Sequence, residues 1–74
     1  MREFDLKDAQ EKKTVCTRDG RKARIICFDY KGPFETMIAL VENKETGFEE
    51  IKEYFWNGQF YLTFQCESDL MMME

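Results

Sequence analysis

Apolar and polar residues alternate on both sides of two dipeptides, Asp19-Gly20 and Asn57-Gly58, and each pattern predicts a β-hairpin closed by a two-residue type I′ turn. Around Asn57-Gly58 the predicted register opposes Phe55 with Phe60, Tyr54 with Tyr61, and Ile51 with Phe64. One face then gathers Ile51, Phe55, Phe60, Leu62 and Phe64 as core, and the other carries Lys52, Tyr54, Trp56, Gln59, Tyr61 and Thr63. A helix over GFEEIKEYFW is the rival, because Thr46 and Glu49 resemble a capping box and Phe48, Ile51 and Phe55 fall at helical spacing. The strand is preferred, since a helix leaves the Asn-Gly turn and the matched faces unexplained.

Around Asp19-Gly20 the same construction opposes Cys16 with Ala23 and Val15 with Arg24. Its inward set is Thr14, Cys16, Ala23, Ile25 and Cys27, and its outward set is Val15, Thr17, Lys22, Arg24, Ile26 and Phe28. The outward set is too apolar at its far end to be fully solvated, which predicts a bent second strand covered on both sides. Between the hairpins, Lys31-Gly32-Pro33 interrupts the pattern and ETMIALVEN supplies a nearly continuous apolar strand, the most buried of the chain. NKETG reads as a polar loop. In the N-terminal FDLKDAQEKK, Asp5 is placed to cap one or two helical turns, anchored by Phe4 and Leu6.

The fold expected is mainly β with a short N-terminal helical turn: about five antiparallel strands in a bent meander, or a partly open barrel of SH3 type. It forms a single domain over residues 1 to 74, with an arm at 1 to 12, the meander at 13 to 66 and a tail at 67 to 74. Leu70, Met71, Met72 and Met73 in that tail either seat in a partner's groove or cover the end of the chain's own core.

The run TVCTRDGRKARIICFDYKG, continued through MIALV and the aromatic-NG-aromatic hairpin to SDL, resembles a family of short proteins of unknown function from Bacteroidetes genomes and their phages and mobile elements. The matching pieces span residues 4 to 70, with Thr17-Arg18-Asp19-Gly20-Arg21 and Phe28-Asp29 as their centre. The chain departs from the family after SDL, where Met71 stands in place of a second acidic residue. The resemblance implies a mostly β domain in a bacterial or phage setting and brings no activity or catalytic residue with it.

Charge adds a second pattern. Residues 1 to 33 hold nine basic and six acidic side chains, a net of +3, whereas residues 34 to 74 hold two and nine, a net of −7. Arg18, Arg21, Lys22 and Arg24 therefore form a candidate anion-facing patch on an acidic protein. Tyr54, Trp56 and Tyr61, outward on the second hairpin, form the first candidate contact surface, an aromatic patch of the kind enriched in protein interfaces. Together with the basic patch they are alternatively a means of stacking and neutralising a nucleic acid. NGQFYLTF echoes the RNP1 strand of RNA-recognition domains, although Asn57, Gln59 and Phe60 depart from its cation, aromatic and small residue.

Catalytic chemistry has little to draw on. The chain contains no histidine, which removes the usual general base and the commonest metal ligand. Glu49, Glu50 and Glu53 read as a solvated strand face rather than an acid/base pair. Cys16, Cys27 and Cys66 lack CxxC spacing and read as reduced thiols. No cofactor or metal is expected. There is no apolar run long enough to span a bilayer, and the charged start is unlike a secretory signal, so the expectation is a cytoplasmic protein that does not engage membranes. The function expected is a non-enzymatic protein-interaction or self-assembly module whose partner is another protein or a second copy of the chain, with nucleic-acid binding as the alternative.

Overall fold

The computed structural model describes residues 1 to 73. It is a mainly β protein: one open, antiparallel, six-stranded sheet and one short helix. The elements are β1 (Arg2–Glu3), α1 (Leu6–Gln10), β2 (Val15–Thr17), β3 (Lys22–Cys27), β4 (Met37–Glu42), β5 (Glu49–Tyr54) and β6 (Leu70–Met72). Their spatial order is β1-β6-β2-β3-β4-β5, so β2 to β5 form the expected meander. The sheet does not close into a barrel. Among the described residues no helix is long and apolar enough to cross a membrane.

Helix α1 follows from its cap: the Asp5 carboxylate accepts a hydrogen bond from the Asp8 N–H at 3.2 Å. Five residues do not sustain a helix alone, and this one is held by packing, with Ala9 buried and Phe4 and Leu6 against the core. Met37, Ala39 and Val41 of β4 provide the floor of that core, joined by Tyr54 and Leu70. Ala9, Val15 and Met72 continue it toward β1. The apolar strand at residues 37 to 42 is buried on one face and half-buried on the other, whereas β2 is buried at every position, so β4 is not the most buried strand its sequence implies.

Both glycine dipeptides do reverse the chain, but through loops of three residues. Gly20 N–H donates to the Thr17 carbonyl at 2.9 Å while Thr17 N–H donates to the Arg21 carbonyl at 2.9 Å. Gly58 N–H donates to the Phe55 carbonyl at 2.8 Å and Phe55 N–H to the Gln59 carbonyl at 3.1 Å. In each loop the last residue is a glycine with positive φ, +89° at Gly20 and +84° at Gly58, the arrangement of a turn ending in a glycine bulge.

The extra residue corrects the first hairpin's register. Val15, not Cys16, lies opposite Ala23. A slip of one residue exchanges the faces of a strand, so Val15 and Thr17 join Ala23 on the core side and both are buried. Cys16, between Lys22 and Met71 on its neighbours, is buried as well. The register of β3 on β4 steps by one between Ile25 and Cys27, a bulge of the kind that bends a strand, but Lys22, Arg24 and Ile26 are exposed, so the strand is not covered on both sides as expected.

The second hairpin does not form. Residues 49 to 54 are strand rather than helix, but β5 pairs along its whole length with β4, from Met37 with Tyr54 to Glu42 with Glu49. Residues 59 to 69 are irregular. The tail is also reassigned: Leu70 to Met72 is strand β6, inserted between β1 and β2 with Leu70 and Met72 fully buried. Residues 67 to 73 are therefore part of the sheet and the turn leading into it, and Glu74 of the expected tail lies outside the described residues.

Candidate functional site

Pairing with β4 puts the side chains of Glu50, Lys52 and Tyr54 on the core side and those of Glu49, Ile51 and Glu53 on the other. This overturns part of the predicted aromatic surface. Tyr54 is 0% exposed, and its hydroxyl donates to the Ser68 carbonyl at 2.7 Å. Burial raises the pKa of its phenol, which stays a neutral donor. Trp56 and Tyr61 are exposed as expected, at 63% and 44%, but on the reversal and the irregular segment rather than on the outer face of a hairpin. Ile51, Leu62 and Phe64, expected in the core, are exposed instead, and Phe55 and Phe60 are half-buried.

The irregular segment after Gly58 carries these aromatics along the open side of β5. The Tyr61 and Phe64 rings stack with centroids 4.6 Å apart, Phe60 meets Tyr61 edge-on at 4.8 Å, and Lys52 Nζ sits 5.4 Å from the Phe60 centroid. Between the segment and the strand runs an open groove of about 630 Å³, lined by Glu35, Ile51, Lys52, Phe60, Tyr61 and Leu62 among others. β5 is the last strand of the sheet, so this groove borders a free strand edge.

What holds the irregular segment is Asp69, which is 1% exposed. Its carboxylate accepts from Phe60 N–H at 2.9 Å, from Cys66 N–H at 3.0 Å and from Arg18 Nη2 at 3.5 Å. Leu70 N–H donates to the Gly58 carbonyl at 2.8 Å, closing the loop. The sequence signal for Asp69 was a lone carboxylate directly before a short apolar run, SDLMM, and its significance lies in partners 9 and 51 residues away.

The basic hairpin is equally committed. Arg21 Nε lies 3.0 and 3.1 Å from the two carboxylate oxygens of Asp19, and its Nη2 donates to Ser68 Oγ at 2.9 Å. Arg24 makes a two-bond contact with Glu49, at 2.7 and 2.8 Å. With Arg18 on Asp69, Lys22 is the one of the four predicted cations that pairs with no carboxylate among the described residues. Lys44, which the sequence did not single out, reaches Asp19 at 2.8 Å and Glu67 at 3.7 Å. The opposite charges of the two halves of the chain thus meet inside one molecule.

Burial alone would raise the pKa of Asp19, but hydrogen bonds from Lys44, Thr17 and Arg21 outweigh it and hold the carboxyl well below its ordinary range. A carboxylate fixed in this way is an anchor, and a general acid needs the reverse. One residue of each predicted surface shares a partner at Ser68: Tyr54 donates to its carbonyl while Arg21 donates to its Oγ. Cys16, Cys27 and Cys66 are free thiols, and burial raises the pKa of Cys16. Among the described residues no cluster of three or more Cys, Asp or Glu is placed to hold a metal ion.

Compared with known proteins, the chain matches the family model described as Haemophilus phage HP1 protein YO09 over residues 1 to 73. No curated protein and no solved structure matches it.

Proposed function

We propose that this chain, which belongs to the family of Haemophilus phage HP1 protein YO09, works as a non-enzymatic binding module that takes up an extended polypeptide segment along the free edge of β5. The observation that carries the reading is the juxtaposition of that edge with the aromatic segment. A strand edge offers unpaired N–H and C=O groups, and exposed Tyr61, Leu62 and Phe64 beside it supply apolar contacts for the side chains of an added strand. The proposal places the protein in the bacterial cytoplasm, where a phage product is made and where its three thiols stay reduced. A Bacteroidetes host is part of the proposal through the likeness of the pieces spanning residues 4 to 70, centred on Thr17 to Arg21 and Phe28-Asp29.

Nucleic-acid binding draws less support. Arg18, Arg21 and Arg24 are already engaged by carboxylates, and Tyr54 is not available to stack on a base. Selection of random peptides on the immobilised full chain tests the proposal, with single-stranded DNA and RNA titrated at low salt as the contrasting arm. The expected result is peptides that slow hydrogen exchange at the β5 amides and lose at least about tenfold in affinity for a Tyr61→Ala, Leu62→Ala double variant. A selection without binders, binders indifferent to that variant, or tighter binding of nucleic acid than of any peptide overturns it.

A further inference from the structure

The turn between β4 and β5 reveals which backbone groups of the edge strand are free. Asn43 N–H donates to the Phe48 carbonyl at 2.8 Å, one step beyond the Glu42–Glu49 pair, so position 43/48 turns its backbone groups between the two strands. Pair types alternate along the ladder, so Glu50, Lys52 and Tyr54 bond to β4 and Glu49, Ile51 and Glu53 point their N–H and C=O groups outward. Thr36 N–H donating to the Tyr54 carbonyl at 3.0 Å agrees with that assignment at the other end of the strand.

We propose that the occupant of this edge is a second copy of the chain, its β5 antiparallel to the first, with Ile51 facing Ile51 across a two-fold axis. The inference rests on the reading of the β5 edge as a binding edge. It is carried by charge complementarity in EEIKEY. Outward-bonding residues pair only with outward-bonding residues, which restricts the centre of such a pairing. Centred on Ile51, each Glu50 lies opposite the Lys52 of the other copy, in the pair type that brings side chains closest. Centred one position earlier the strand sets Glu50 against Glu50, and one position later Lys52 against Lys52.

The same register aligns Ile51, 72% exposed, with its counterpart, and extends the cross-strand row of Arg24, Leu40 and Ile51 through both copies. It also sets Glu53 directly opposite Glu49 of the other copy, a like-charge pair whose repulsion is offset by the Arg24 guanidinium already held by Glu49 at 2.7 and 2.8 Å. Pairing of one six-residue strand is a small interface, so the dimer is expected to be weak and concentration-dependent.

Sedimentation of the full chain across a concentration series tests the proposal, read together with hydrogen exchange at Glu49, Ile51 and Glu53. The expected result is a monomer-dimer equilibrium that protects those three amides, weakens at least about tenfold in Glu50→Lys, and recovers in Glu50→Lys combined with Lys52→Glu. Ile51→Pro removes an outward N–H and leaves the β4 ladder its bonds, so it is expected to abolish the dimer in a folded chain. Should that variant unfold, the charge pair still decides. A monomer at every concentration, or a dimer indifferent to Glu50→Lys, overturns the proposal. If the monomer's edge amides are nevertheless protected by a selected peptide, self-pairing fails while the wider reading of the edge stands.

Discussion

The Asp19-Gly20 and Asn57-Gly58 turns have the same hydrogen bonds, the same loop length and a glycine with positive φ in the same place, yet one joins two strands of a hairpin and the other does not. After Gly20 the alternating KARIIC finds β4 on its open side and becomes β3. After Gly58 the alternating QFYLTF leaves the outer edge of β5 unpaired, because the first amide past Gln59 is taken by the Asp69 carboxylate and Leu70 N–H closes onto the Gly58 carbonyl. A turn signal in sequence therefore reports the local reversal. What the chain does next depends on which backbone groups are still unclaimed.

The comparison breaks most completely at Asp69, whose carboxylate takes two backbone N–H groups of the segment after the second turn but only the Arg18 side chain from the first. Asp69→Ala leaves the N–H groups of Phe60 and Cys66 without acceptors in a half-buried setting and releases Arg18. The expected cost is about 3 kcal/mol, a large part of the stability of a domain this small. The check is the urea midpoint together with the fluorescence of Trp56, one residue before the loop's asparagine. If the variant melts like the parent, Asp69 does not hold the segment.

The two glycines come next. A Cβ on Gly20 meets nothing within 4 Å, so Gly20→Ala carries only the left-handed backbone cost of about 1 kcal/mol. A Cβ on Gly58 would come within 2.6 Å of the Phe4 ring, so Gly58→Ala adds displacement of a residue packed on the core and is expected to cost about 2 to 4 kcal/mol. For a domain of this length each kcal/mol is worth roughly 4 to 8 °C in Tm, so calorimetry separates the two variants readily. Equal shifts would mean that Phe4 yields freely and that the two turns are mechanically alike.

How much of this was legible in the sequence follows the same division. Strands β3, β4 and β5, the Asp5 cap and both reversals were readable, because each depends on residues within a few positions of one another. The faces were not. One additional loop residue moved Val15 and Thr17 to the core side, and the register of β5 on β4, with residues 59 to 64 left unpaired, buried Tyr54 and exposed Ile51. Strand β6 was missed because three residues, Leu70 to Met72, carry no period of their own and are strand only because β1 and β2 flank them. At the candidate site, Trp56 and Tyr61 were legible as exposed aromatics, whereas the free edge beside them depends on where the sheet stops.

The last difference between the turns is a proton. Asp19 and Asn57 occupy matching positions, and only the aspartate titrates. Its carboxyl, held below the ordinary value of 3.8 by Lys44, Thr17 and Arg21 against the opposing effect of burial, binds its proton less readily folded than unfolded. A depressed carboxyl pKa gives stability that is fully present above that ordinary value and is lost as pH falls toward the folded one. Acidification from about pH 6 to about pH 2.5 is therefore expected to lower Tm partly through this turn, alongside Asp8 and Glu49, whose carboxyls are lowered by Arg2 and Arg24. Asp19→Asn makes the first turn resemble the second. The expected result is a variant less stable than the parent near neutrality, with the gap narrowing in acid. A gap that stays constant across that range would assign the role of Asp19 to its hydrogen bonds alone and not to its charge.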